Sequence, residues 1–127
     1  MSTSSPNDGV LLCDDMIFTS RITATARSLG LNVAVAGSLQ ALEKQATEIK
    51  PRGVILDLAL AGSVIDQLVK DLEQWCGTRP HVIAYGSHVD TETLRAARAA
   101  GCDVVLPRSK FVEELPLKLS EWLSPKS

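Results

Sequence analysis

Five short, nearly continuous apolar runs punctuate the chain: VLLC (Val10 to Cys13), LNVAVAG (Leu31 to Gly37), GVILDLAL, HVIAYG (His81 to Gly86) and DVVLP. Runs of this length without polar alternation are the signature of strands buried on both faces. Segments with apolar residues at helical spacing separate them. Phe18, Ile22 and Leu29 mark the first, and Leu39, Leu42, Ala46 and Ile49 the second. Ile65, Leu68, Leu72 and Trp75 mark the third, an Ala-rich stretch after Asp90 the fourth, and Phe111, Leu115, Leu119 and Leu123 the last. Regular strand–helix alternation predicts an α/β fold with a parallel sheet covered on both sides. Right-handed crossovers leave few arrangements of five such units, and the expected one is a flavodoxin-like, doubly wound (βα)5 sheet in the order 2-1-3-4-5.

Local signals set the boundaries. Gly30 and Gly101 suit left-handed helix ends, Ser38 and Asp90 suit helix N-caps, and Pro51 stops the second helix. Ser63 with Asp66 resembles a capping box, and Val89 with Leu94 a hydrophobic staple. Pro116 places the start of the last helix, or a bend in it, close to that residue. The reading is one domain over 9–124, with a flexible lead at 1–8 and a flexible tail at 125–127.

Composition narrows the function classes. With 127 residues, 45% hydrophobic but only 4% aromatic, the core is expected to be aliphatic. A net charge of -2 gives no reason to expect nucleic acid or an anionic membrane as partner. Cys13, Cys76 and Cys102 are far apart with no C-x-x-C pair, and read as reduced, core-filling residues. No stretch has the length of a signal peptide or a membrane span, so the expected location is the cytoplasm.

One residue breaks the apolar pattern. Asp57 stands inside VILDLAL, where an ionised carboxylate is costly unless something meets it. In the expected sheet order the strand carrying Asp57 lies beside the first strand, which ends in Asp14-Asp15. In open parallel sheets the functional crevice lies beyond the carboxyl ends of the strands. Three carboxylates converging there need a cation or a proton, and grouped hard oxygen ligands suit Mg²⁺. A metal beside an accessible carboxylate would neutralise an incoming phosphoryl group, with Asp57 as the acceptor. The plainer readings are that Asp15 caps the first helix, that Asp57 forms a turn, and that Arg108 is a structural counter-charge to the acids.

The acidic pair after VLLC, the lone aspartate of VILDLAL and the Gly101 ahead of the fifth strand resemble the receiver domain of bacterial response regulators, over about Val10 to Leu123. The resemblance implies a stand-alone signalling domain, not an enzyme, with Asp57 as phosphoacceptor. It implies Mg²⁺ held by Asp14, Asp15, Asp57 and the Ala59 carbonyl, and phosphate contacts from Ser87 and Arg108. Its partners would be a sensor histidine kinase or phosphotransfer protein, and a downstream protein or a second copy docking on the face of the fourth helix, fifth strand and fifth helix.

The departures are specific. Receivers usually carry Thr or Ser where this chain has Gly86, an aromatic where it has Val105, and Lys where it has Arg108. The alternative reading is therefore a phosphorylation-independent pseudo-receiver that works as an interaction module. An enzyme or cofactor binder fits less well: Asp14-Asp15 replaces the donor-rich loop that cradles phosphate after the first strand, and it is not the D-x-D of aspartate-nucleophile phosphatases.

Overall fold

The computed structural model describes residues 8–124. Five parallel strands, β1 (Gly9–Leu12), β2 (Val33–Ala36), β3 (Gly53–Asp57), β4 (His81–Gly86) and β5 (Val104–Pro107), form one sheet. Its order is β2-β1-β3-β4-β5, the predicted one. The helices are α1 (Met16–Ser28), α2 (Leu39–Ile49), a single turn α3 (Leu58–Ala61), α4 (Ile65–Cys76), α5 (Thr91–Ala100) and α6 (Arg108–Leu123). Among the described residues no helix is long and apolar enough to cross a membrane.

The period-two geometry of a strand divides the core into two. Val10 and Leu12 of β1, Val54 and Leu56 of β3, and Val82 and Ala84 of β4 pack with α2, α4 and α5. The intervening residues Leu11, Ile55, Ile83 and Tyr85 pack on the opposite face, under α1 and α6. The first core is aliphatic apart from the half-buried Trp75 at its edge, as composition predicts. The second is not: Phe18, Tyr85, Phe111 and Trp122 form a continuous stack with centroid separations of 4.9, 4.6 and 5.4 Å. The few aromatics of this chain are concentrated where α1 and α6 meet the sheet. Burial pushes the Cys76 thiol up, and burial with the Asp103 carboxylate pushes Cys102 up to about 11. Both fit unreactive, reduced cysteines.

Ser38 and Asp90 cap α2 and α5 by accepting from Ala41 N (3.1 Å) and Thr93 N (3.3 Å). Gly30 and Gly101 take positive φ as expected. Ser63 does not cap: α4 is entered through the 3-10 turn Gly62–Val64 and has no side-chain cap. Val89 is 74% exposed and does not form a buried staple. Pro116 lies well inside α6, which begins at Arg108 and runs through it. The lead and tail lie outside the described residues except for Asp8, which is anchored by its N–H to Asn32 O (2.7 Å) and by an ion pair with Arg52.

Two glycines let the end of α6 reach the sheet. Gly9 and Gly53 are register partners at the amino-terminal edge of β1 and β3. A Cβ on Gly53 would come 2.7 Å from Leu123 Cδ2 and 2.9 Å from the Trp122 carbonyl oxygen. The second of these is backbone and cannot swing away. Gly53→Ala is therefore expected to cost about 1–3 kcal/mol by overpacking. Gly37→Ala, where nothing lies within 4 Å, is the neutral control; equal denaturation midpoints for both variants would refute the close-approach argument.

Candidate functional site

Strand parity and register build the site. Leu12 pairs with Leu56, so Cys13 comes next to Asp57, and Asp57 pairs with Tyr85 across β3 and β4. Cys13, Asp57 and Tyr85 thus form a row across three central strands, on the face covered by α1 and α6. The row lies at the carboxyl ends of the strands, where the fold is expected to place function.

Asp57 is 3% exposed, the one charged residue buried in the described chain. Its carboxylate is distributed among three partners. Oδ1 accepts from Ala59 N at 2.9 Å, which makes Asp57 the N-cap of α3. The Cys13 thiol donates to Oδ2 at 3.8 Å. The Arg108 guanidinium lies 4.0 Å from Oδ1. Arg108 also lies over the Phe18 ring, 5.6 Å from its centroid, so the same planar group faces a carboxylate and an aromatic surface. Tyr85 beside them has no hydrogen-bond partner for its hydroxyl. Burial first, then the neighbouring Cys13 thiol and Asp57 carboxylate, push the phenol's pKa up and keep it neutral.

The acidic pair does not join Asp57. Asp15 is the N-cap of α1, its Oδ1 accepting from Ile17 N (3.0 Å) and Phe18 N (3.1 Å). Asp14 is exposed. Among the described residues no three His, Cys, Asp or Glu side chains form a group that could hold a metal ion. The expected Mg²⁺ set of Asp14, Asp15, Asp57 and the Ala59 carbonyl is thus not assembled. Asp15 Oδ1 is engaged in capping, and Asp57 is met by a thiol and a guanidinium.

Ser87 and Arg108 do come together. With Ala59 and Gly86 they line a crevice of about 90 Å³ beside Asp57. Gly86 has a packing reason as well as a missing hydroxyl: a Cβ there would lie 3.3 Å from Leu58 Cβ and 3.4 Å from its Cδ1. Leu58, 5% exposed, fills the space that a side chain at position 86 would use. Cys13, Tyr85 and Leu58 are site residues that residue types alone do not reveal; extending the β1–β3 and β3–β4 registers by one step would have found the first two.

No family model and no curated protein matches this sequence. Solved structures do match. A response regulator from Hahella chejuensis superimposes with a TM-score of 0.78 at 15% identity, covering 97% of this chain and 98% of that one. A response regulator protein from Burkholderia pseudomallei, with a phosphorylated aspartic acid, calcium ion and citrate, gives 0.73 at 18% identity, covering 95% and 68%. The co-crystal structure of a Saccharomyces cerevisiae histidine phosphotransfer signaling protein with the receiver domain of its downstream response regulator gives 0.73 at 20%, covering 94% and 90%. The chain has the receiver-domain fold.

The Leu58–Gly86 contact gives a double-mutant test. Gly86→Thr, which supplies the hydroxyl that receivers usually carry, is expected to destabilise by about 1–3 kcal/mol because Leu58 must give way. In a Leu58→Ala background the same change should cost distinctly less, a coupling that chemical denaturation of the four proteins measures. Additive costs would show that the two residues do not compete for one space.

Proposed function

We propose that this chain is a signalling module of the response-regulator kind that acts through protein–protein contacts, without catalysis and without phosphorylation. The carrying observation is the full occupation of Asp57: its buried carboxylate is met by the Ala59 N–H, the Cys13 thiol and the Arg108 guanidinium, all from the chain itself. A receiver that must accept a phosphoryl group needs an accessible carboxylate oxygen, and here Oδ1 and Oδ2 each have a partner within the chain. The Arg108 guanidinium lies over the Phe18 ring as well as near Asp57. The missing strand-4 hydroxyl at Gly86 and missing aromatic at Val105 agree with this, since they are the usual reporters of a phosphoryl group in the fold the chain resembles.

A second reading has its own support. Ser87 and Arg108 line one crevice next to Asp57, and one structural neighbour is a receiver bound to a histidine phosphotransfer protein. In that reading an Asp57 oxygen forms the new bond to phosphorus as the donor's phosphohistidine bond breaks, and a sensor kinase or phosphotransfer protein is the donor. Intact-mass measurement separates the two. After treatment with a small phosphodonor and Mg²⁺, wild type is expected to keep its mass, and its thermal midpoint is expected to ignore millimolar Mg²⁺, because a ligand without a site stabilises nothing. Gain of one phosphoryl mass, lost in Asp57→Asn, would overturn the first reading in favour of the second.

The proposed partner face is α5, β5 and α6. Ala96 and Ala99 are exposed on α5, β5 is a half-buried edge strand, and Leu117 on α6 is largely exposed. Small side chains on α5 permit close approach of another protein or a second copy. Ala96→Arg or Ala99→Arg is expected to abolish association in sedimentation while circular dichroism stays unchanged; intact association would move the interface elsewhere.

A further inference from the structure

On the opposite face from Asp57's row, α2 and α4 leave a groove of about 350 Å³ between them. Its floor is Leu39, Val64, Leu68 and Trp75, with Leu39 and Val64 each more than a third exposed. Trp75 is the one aromatic of the described chain outside the stack formed on the other face. Leu39, Val64 and the half-buried Trp75 leave apolar side-chain surface open along one channel. The charged side chains that line it are acidic, with the Lys50 ammonium outside the lining on the Trp75 carbonyl (3.3 Å). Glu43 and Asp71 both line the groove and no cation does. Asp71 accepts from Gln67 (2.9 Å), but neither carboxylate has a cationic partner among the described residues. The groove shares Gln40 and Glu43 with a second depression of about 350 Å³ on α2, which adds Glu48 and a single lysine, Lys44.

We infer that this groove receives a basic amphipathic helix of a partner protein. Two neighbouring helices offer a third helix a ready channel, because side-chain ridges of one seat between those of the others. Helix-in-groove recognition reads apolar anchors at i, i+3 or i+4, and i+7. Leu39, Val64 and Trp75 suit such anchors. Lysines or arginines flanking them would find Glu43, Asp71 and Glu48 free to pair at the rim, where charge sets on-rate and partner choice more than raw affinity. None of the residues lining it belongs to the crevice beside Asp57 or to the α5–β5–α6 face.

The two tryptophans make the test direct, because Trp122 is buried in the other core and Trp75 lies in the groove. The probes are two synthetic helical peptides with the same leucine stripe, one with lysine on its polar face and one with glutamate. The 127-residue chain titrated with the leucine–lysine peptide should show a blue shift of Trp75 emission that Trp75→Phe removes, and the affinity should fall with added salt. The Glu43→Lys/Asp71→Lys double variant, its fold checked by circular dichroism, should bind roughly tenfold or more weakly, and the leucine–glutamate peptide should not bind wild type. Equal binding of both peptides, or equal binding of the lysine peptide to wild type and double variant, would reduce the groove to unspecific apolar contact. A Trp75 shift that depends on protein concentration without any peptide would assign the groove to a second copy. A peptide shift that survives in Trp75→Phe would place binding elsewhere. Any of these results overturns the inference.

Discussion

The compensation of one buried carboxylate organises the carboxyl edge of this sheet. An ion as little exposed as Asp57 is stable only if its charge and lone pairs are met, and removing a single partner from such a group leaves an uncompensated charge. The three partners come from three different places: the turn that follows β3, the end of β1, and the first residue of α6. Asp57 thereby ties the connection into α3 to the last helix. The cap on α3 is worth about 1 kcal/mol. The Arg108 contact is worth no more than that, since its side chain is 47% exposed at 4.0 Å and water screens it. It brings the first residue of α6 next to Asp57, on the same face as the aromatic stack.

The same geometry explains why the two sides of the sheet differ. The face under α1 and α6 bears the row Cys13, Asp57 and Tyr85, and bulky rings close it over. Gly9 and Gly53 at the far end of the strands let Trp122 and Leu123 come down on the sheet. The other face is filled by Leu, Val and Ala, and α2, α4 and α5 can sit on it without aromatic support. At its margin, where Leu39, Val64 and Trp75 meet, apolar surface is left uncovered.

Much of this was legible in the sequence for definite reasons. Continuous apolar runs separated by helical periodicity leave little but a doubly wound parallel sheet, and its order and the position of Asp57 at a strand's carboxyl end follow from that. The resemblance to receivers rested on Asp14, Asp15 and Asp57 in the right elements, and the fold agrees. What residue types did not disclose is how the atoms are spent. Asp15 reads equally well as a metal ligand or as an N-cap, and in the structure its Oδ1 caps α1 through backbone N–H groups two and three residues on. Cys13 reads as a core filler until the register places its thiol on Asp57. Gly86 reads as a lost hydroxyl until Leu58 is seen to occupy its space. Ser63 has the spacing of a capping box, but a 3-10 turn delivers the chain into α4 and leaves the hydroxyl without that role. Each difference arises from tertiary neighbours that are distant in sequence.

A counter-charge attached to the chain differs in kind from one that is delivered. A metal ion or a phosphoryl group comes and goes, and its presence is information. The Arg108 guanidinium is always present and always positive. A two-state equilibrium moves only when something binds one state better than the other. In the proposed reading, Asp57 is met from within the chain, and neither the hydroxyl nor the aromatic usual in receivers is present to report a phosphoryl group. In that reading the signal enters where differential binding is available, which is the surface. On this chain that surface comprises the small-residue face of α5 with its edge strand β5, and the acidic, apolar channel between α2 and α4. A fold that elsewhere reads a covalent mark would here act as a rigid adaptor, with its specificity set by which partners these two faces admit.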